Sequence, residues 1–220
     1  MVIAVEIRSV LSKYADRLKE ENVPGFRVYS VELDDKTLYI TRSGAGEIRA
    51  AAAVQMLISV FHVELIVNYG VVGALTERLE VINTCVVEKA VHYDFDTSAA
   101  DACEVGRYLE YKDIYLRATA EYVKLATEYD AAIFPVTCAS GDKFIAAKSE
   151  KEALSKAFKA DICDMESAAI ILVCDLNQVP NLIVKTVSDS IKGGTAEFRS
   201  CFAKAADTCL AIVDRIIKTL

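Results

Sequence analysis

Short apolar runs alternate with stretches of helical spacing along the entire chain, and this rhythm restricts it to an α/β architecture. A first strand is expected at residues 2–5, after which Val10, Leu11, Tyr14 and Leu18 recur at helical spacing. Pro24-Gly25 breaks the chain. Residues 26–33 and 37–41 read as a hairpin around Asp34-Asp35-Lys36, and Ser43-Gly44-Ala45-Gly46 as a turn. Residues 47–61 read as a helix that is apolar over most of its surface. Further strands are expected at 64–68, 83–92, 131–137 and 182–187, and further helices at 114–128, 150–159 and 165–176. The strand at 64–68 is expected to end in Tyr69-Gly70-Val71-Val72-Gly73. Residues 93–112 show no period and read as a binding loop or an interface. The last helix is the plainest, with Phe198, Phe202, Ala205, Cys209, Ile212 and Ile216 in one apolar stripe. There is no linker, low-complexity tract or repeat, so residues 1–220 are expected to form one α/β domain, a mixed sheet covered by helices.

The chain's 220 residues suffice for one substantial core. Acidic residues outnumber basic ones by 32 to 25 and no Lys/Arg cluster appears, which argues against nucleic acid as a partner. No apolar run approaches the ~20 residues of a membrane span. The opening Met1-Val2-Ile3-Ala4-Val5-Glu6 lacks the basic flank, long apolar stretch and cleavage site of a signal peptide. A cytoplasmic location is therefore expected, and membrane contact is not. The seven cysteines are odd in number and widely spread, with no C-x-x-C pair. They read as small core residues rather than as a disulfide framework or a zinc knuckle. Two histidines, His62 and His92, are too few and too isolated for a histidine-rich metal site, so no metal is expected. His62 falls at a helix end, which disfavours a Ser-His-Asp triad built on it.

Two acidic motifs carry the candidate chemistry. Asp164-Met165-Glu166-Ser167-Ala168-Ala169 opens a very apolar helix, and Val187-Ser188-Asp189-Ser190 closes an apolar strand. Asp164 is expected as the helix N-cap, with Glu166 in the first turn. Each carboxylate has a plain structural reading, as first-turn helix chemistry for Glu166 and as a turn or cap for Asp189. Each also has a functional one. A carboxylate at the edge of a core can accept hydrogen bonds from the two hydroxyls of a ribose. A carboxyl at the carboxyl end of a strand, shielded from water, can hold a proton near neutrality and act as a general acid. Such a pair suits the cleavage of a bond to a sugar. Ser43-Gly44-Ala45-Gly46 fails as a dinucleotide fingerprint, because Arg49 takes the third glycine position, and it fails as a P-loop. Gly70-Val71-Val72-Gly73 permits close backbone approach or is a simple turn. In Cys138-Ala139-Ser140-Gly141-Asp142-Lys143-Phe144-Ile145 a turn carries an aromatic that either stacks on a planar base or plugs the core.

In their order and spacing these segments resemble the nucleoside phosphorylase and nucleosidase superfamily, most closely the bacterial 5'-methylthioadenosine/S-adenosylhomocysteine nucleosidases. The carrying residues are Ser43-Gly44-Ala45-Gly46, Asn68 to Leu75, Tyr93-Asp94-Phe95-Asp96, Ser140 to Ile145, Asp164-Met165-Glu166 and Val187-Ser188-Asp189. The resemblance implies a three-layer αβα fold with a central twisted mixed sheet, a homodimer, a small nucleoside as ligand and no cofactor. It implies that Asp189, held by Ser188, protonates purine N7, and that Glu166 and Met165 bind ribose. Phe144 would stack on the base, the Ile145 backbone would bond its edge, and Phe198 would form a further wall. The loop at 93–112 would help form the dimer. Separation of a purine from a ribose leaves positive charge on the sugar and negative charge on the base, and these groups stabilise the two sides.

The sequence departs from the family at two places. A nucleosidase has a water-activating Glu just after its first strand, and in Val5-Glu6-Ile7-Arg8-Ser9-Val10 the candidate is Glu6. An ungapped alignment puts Arg8 or Val10 there instead. Val71 stands where many relatives carry Ser or Thr beside the phosphate or the water, and an apolar residue cannot bind phosphate. Three readings follow. One is a nucleosidase that releases adenine from methylthioadenosine-like substrates with water. Another is a phosphorylase that draws on Arg8, Arg42 or Arg49 for its phosphate. The last is a nucleoside-binding homologue weak in catalysis.

Overall fold

The computed structural model describes the backbone of residues 4–220 and the side chains from residue 7 onward. Helix α1 spans Ala4–Lys13, and a 3-10 turn at Ala15–Arg17 leads to three strands, β1 (Lys19–Val23), β2 (Phe26–Glu32) and β3 (Thr37–Thr41). These pair antiparallel as a small sheet of their own. Helix α2 (Glu47–Phe61) and strands β4 (Ile66–Ala74) and β5 (Thr84–His92) follow. After the short helix α3 (Ser98–Asp101) come β6 (Leu116–Arg117), α4 (Ala120–Tyr129), β7 (Phe134–Ser140) and α5 (Lys148–Phe158). The chain ends with β8 (Ile162–Asp164), α6 (Ser167–Leu176), β9 (Asn181–Asp189) and α7 (Thr195–Ile217).

The central sheet has the order β6-β5-β7-β8-β4-β9 and is mixed. Strand β4 runs parallel to β9, and β7 parallel to both β5 and β8. A short antiparallel pairing of Thr84, Cys85 and Val86 with Thr186, Lys185 and Val184 brings β9 back against β5, so the sheet curls round on itself. All nine residues of β9 are buried, as expected for a strand covered on both faces. Helix α7 packs on β9 and β4 through Ala205, Ala206, Cys209, Leu210, Val213 and Ile216, while α2 packs on α6 and α6 on β5. Helices thus surround a central mixed sheet, the αβα arrangement expected from the sequence.

Several boundaries differ from expectation, each for a physical reason. Of the strand expected at residues 2–5, residues 1–3 lie outside the described residues, and Ala4 and Val5 already belong to α1. Strand β1 has no apolar run (Lys-Glu-Glu-Asn-Val) and forms by edge pairing to β2. The segment 70–73, read as a strand terminus or turn, lies in the second half of β4, whose register shifts between Val72 and Gly73 and where Gly73 leaves room for Asp189 and Cys163. The helix expected at 114–128 starts only at Ala120, because Leu116 and Arg117 pair with β5. Strand β9 runs on past the expected end at 187, so Asp189 is its last residue rather than part of the loop after it. Helix α6 begins two residues later than expected, so Glu166 occupies the cap position and Asp164 ends a strand.

Candidate active site

The glycine at position 73 is the point where three strands meet. It pairs with Cys163 of β8 on one side and with Asp189 of β9 on the other. A pocket opens there, walled by Gly70 to Gly73 of β4, the segment Lys143-Phe144-Ile145, the run Cys163 to Glu166, Ser188 and Asp189, with Ala45 and Phe198 closing it. Asp189, Glu166, Met165, Phe144, Ile145, Ser188, Phe198 and Val71 therefore all line one space. Glu6 is the exception: it sits in α1, and its side chain lies outside the described residues.

The two carboxylates are held differently. Glu166 is 3% exposed, and its Oε1 accepts the Gly46 N–H at 3.1 Å. Gly46 has a φ of 104°, a backbone conformation that favours glycine. Burial, reinforced by the charge of Asp164 and opposed by Lys185, pushes the Glu166 carboxyl up to about 7. Asp189 accepts the Ser188 hydroxyl on Oδ1 at 2.9 Å and the Lys151 ammonium on Oδ2 at 2.5 Å. Burial raises its carboxyl above the ordinary value, with Lys151 and Ser188 pulling the other way. A side chain at position 73 would meet Asp189 Oδ2 at 3.1 Å and Cys163 Sγ at 3.2 Å, so a glycine is what lets the acid pack this closely. Above the carboxylates, Phe144 and Phe198 meet edge to face with centroids 5.1 Å apart, and Phe144 remains 44% exposed at the mouth.

Beneath Glu166 lies a charge network that the sequence reading missed. Asp164 pairs with Lys185 at 3.0 Å and accepts hydroxyls from Ser140 and Ser167 and the backbone N–H of Ser167. Burial pushes Asp164 up, but Lys185 and the two hydroxyls outweigh it and hold the group below the usual carboxylate range. Ser140 Oγ sits 2.6 Å from Asp164 Oδ1 and 2.5 Å from Glu47 Oε1. One hydroxyl has one proton, so Ser140 can donate to only one of them. Burial and the Asp164 charge push Glu47 up to about 8, and a neutral Glu47 donates to Ser140 while Ser140 donates to Asp164. Lys185 was visible as a lone charge inside the apolar run Leu182-Ile183-Val184-Lys185-Thr186-Val187, which demands an interior partner. Lys151 had no such signal, because α5 reads as a Lys/Glu-rich surface helix.

Two other hollows contribute less. A cavity of about 100 Å³ between β3, β4 and α7 is lined mainly by apolar side chains; in it Asp214 pairs with Lys13 and Lys218, and the Asn68 carboxamide has no partner among the described residues. Arg8, Arg42 and Arg49 line a separate cleft with Arg27, not the pocket of Asp189.

Residues 4–218 match the phosphorylase superfamily. The 5'-methylthioadenosine/S-adenosylhomocysteine nucleosidase of Staphylococcus haemolyticus is 30% identical over 222 aligned residues, covering 98% of this chain and 96% of the relative. Its Staphylococcus aureus counterpart is 29% identical over 218 residues, covering 96% of this chain and 95% of that one. In fold, the chain superposes on the Helicobacter pylori nucleosidase of the same name with a TM-score of 0.94 at 24% identity, covering 100% of this chain and 96% of that one. It superposes on the futalosine hydrolase of the same organism with a TM-score of 0.93 at 24% identity, covering 100% of this chain and 95% of that one. The chain belongs to the phosphorylase superfamily and groups by sequence with its nucleosidases, the hydrolases of N-glycosidic bonds.

Proposed function

We propose that this enzyme hydrolyses the N-glycosidic bond of purine nucleosides such as 5'-methylthioadenosine or S-adenosylhomocysteine, releasing adenine. The observation that carries this reading is the meeting of Asp189 and Glu166 in one pocket beneath Phe144 and Phe198. As the C–N bond breaks, its electron pair leaves with the base, and Asp189 passes a proton to that base. The sugar carbon becomes electron-poor, and Glu166, binding the ribose hydroxyls with Met165 beside it, supplies negative charge. Water adds to the sugar and loses a proton to a base, for which Glu6 is the proposed residue. Phe144 stacks on the purine, Phe198 forms a further wall, and the Ile145 backbone bonds its edge.

Water is favoured over phosphate as the nucleophile by two features. The Val71 side chain offers no hydrogen bond on the pocket wall, and the three arginines that could bind phosphate line a different cleft. The relatives' names point to methylthioadenosine and S-adenosylhomocysteine, and the futalosine hydrolase likeness adds futalosine to the candidates. Incubation of the pure protein with each nucleoside, with and without phosphate, tests the reading. Release of the free base, adenine from methylthioadenosine or S-adenosylhomocysteine, that is independent of phosphate is expected. Release that requires phosphate would make the protein a phosphorylase, and no cleavage of any of them would reject the assignment.

A homodimer is part of the proposal. Ile48 at 80% exposure, Val60 at 51% and Leu109 at 60% leave apolar surface on α2 and the 93–112 loop. Light scattering on the eluting protein checks it, with a monomer mass as the contrary result. All seven cysteines are free thiols, which suits the reducing cytoplasm. Among the described residues no helix is long and apolar enough to cross a membrane.

A further inference from the structure

Lys151 is wholly buried, though it lies on a helix whose sequence reads as surface. Its ammonium reaches Asp189 Oδ2 at 2.5 Å, the Ser190 carbonyl at 2.7 Å and the Gly193 carbonyl at 3.2 Å. An ammonium has three N–H donors, and here each has an acceptor. A cation so completely bonded is a fixed part of the site. It faces Asp189 from α5, while Ser188 bonds the same carboxyl from its own strand. The remaining ionisable groups nearby are Cys163 on β8 and Glu197 on α7, whose Oε2 accepts the Ser190 N–H at 2.5 Å.

We propose that Lys151 is a positioning residue for Asp189: it fixes the carboxyl group and compensates the negative charge that Asp189 acquires when its proton passes to the leaving base. The inference rests on the acid role assigned above. In that step the O–H bond of Asp189 breaks, an N–H bond forms on the base, and the glycosidic electron pair goes to the base. Creating a lone carboxylate in a dry pocket is costly, and an ammonium already in contact removes most of that cost. The same cation ties the carbonyls of Ser190 and Gly193, and so holds the turn that delivers Phe198 to the pocket wall. Asp189 and the wall that grips the base are thereby set by one side chain.

The test is a titration of the full-length protein without substrate, labelled at Asp carboxyl carbons and Lys Nζ. In the wild-type protein the Lys151 Nζ signal is expected to inflect at the pH where Asp189 titrates. In Lys151→Met the Asp189 titration is expected to move up by about 1–3 pH units, the usual effect of an adjacent opposite charge. The acid-dependent limb of the adenine-release profile should move with it. A merely structural lysine would lower activity through misfolding without displacing either curve. An Nζ signal indifferent to Asp189, or an Asp189 curve unchanged in Lys151→Met, overturns the proposal. The wild-type titration decides even where the variant does not fold. Coupled titrations without cleavage of any nucleoside would sink the assigned reaction while leaving the pair established. Phosphate-independent release with uncoupled curves would do the reverse.

Discussion

Lys185 Nζ lies 3.0 Å from Asp164 Oδ2, with both side chains essentially out of water. The lysine stands in the middle of β9 and the aspartate at the end of β8, so the ion pair links two strands at the pocket wall, which both residues help line. Asp164 Oδ1 in turn accepts the backbone N–H of Glu166 at 3.3 Å. The orientation of Glu166 therefore depends on a charge pair that itself touches the core rather than the solvent.

Replacing Lys185 by Met tests that dependence. The substitution fills the volume but leaves Asp164 without its cation in a dry environment. A loss of about 3–5 kcal/mol is expected, the usual cost of breaking a buried pair on one side. Urea unfolding at pH 7 measures it. A change below about 1 kcal/mol would mean that Asp164 escapes its burial, for instance by drawing in water.

Asp189→Asn should lower adenine release by at least about a hundredfold, the lower range for removing a general acid. From the sequence alone this variant would be expected to fold like the wild type. The structure adds a cost, because Lys151 loses its ionic partner. The geometry still accommodates the amide: its oxygen can face Lys151 and its nitrogen can donate to Ser188, whose hydroxyl can then turn to the Val72 carbonyl at 3.1 Å. The variant should thus be inactive, folded and measurably less stable. Wild-type turnover in a steady-state assay would reject Asp189 as the acid.

Much of this site is legible in the sequence because its groups stand at the ends of apolar elements. Asp189 closes β9, and Glu166 begins α6 after a buried strand. Periodicity finds such elements, and short polar motifs punctuate them. The supporting charges are less visible. Glu47 looks like an ordinary first-turn acid, and only the packing of α2 on α6 puts it within reach of Ser140. Lys151 lies among other lysines of α5, and one burial pattern distinguishes it. Strand β1 is polar, so it carries no apolar signature at all; its pairing with β2 defines it. What local pattern cannot supply is which distant charges a fold brings together.

Glu47 offers a pH-dependent test. Its carboxyl is held at about 8 by burial and the Asp164 charge. A carboxyl raised above its unfolded value of about 4.3 keeps its proton when folded. It costs nothing below that value and lowers stability as pH rises toward about 8. Gln at this position mimics the neutral acid, donating to Ser140 and accepting from Ala169, whose N–H now lies 2.7 Å from Oε2. Glu47→Gln should match the wild type below about pH 4 and exceed it at about pH 8, by on the order of a few kcal/mol. Denaturant unfolding at both pH values decides. Parallel stability curves for the two proteins would show Glu47 to be ionised throughout.

Glu166 links protonation to ligand binding instead. Burial holds its carboxyl at about 7, so near neutrality it is shared between acid and carboxylate. Ribose hydroxyls are donors, and the carboxylate accepts them better than the protonated acid does. Affinity for a non-hydrolysable nucleoside should therefore fall as pH drops below about 7, approaching about tenfold per pH unit where binding releases one proton. Free adenine lacks the ribose and should show no such limb. Glu166→Gln should flatten the limb and weaken the nucleoside far more than adenine. Titration calorimetry with both ligands from pH 5.5 to about 8.5, a range set to bracket the ionisation, makes the comparison. Equal weakening of nucleoside and adenine would remove the ribose from the account of Glu166 and leave it as a support for the Gly46 turn.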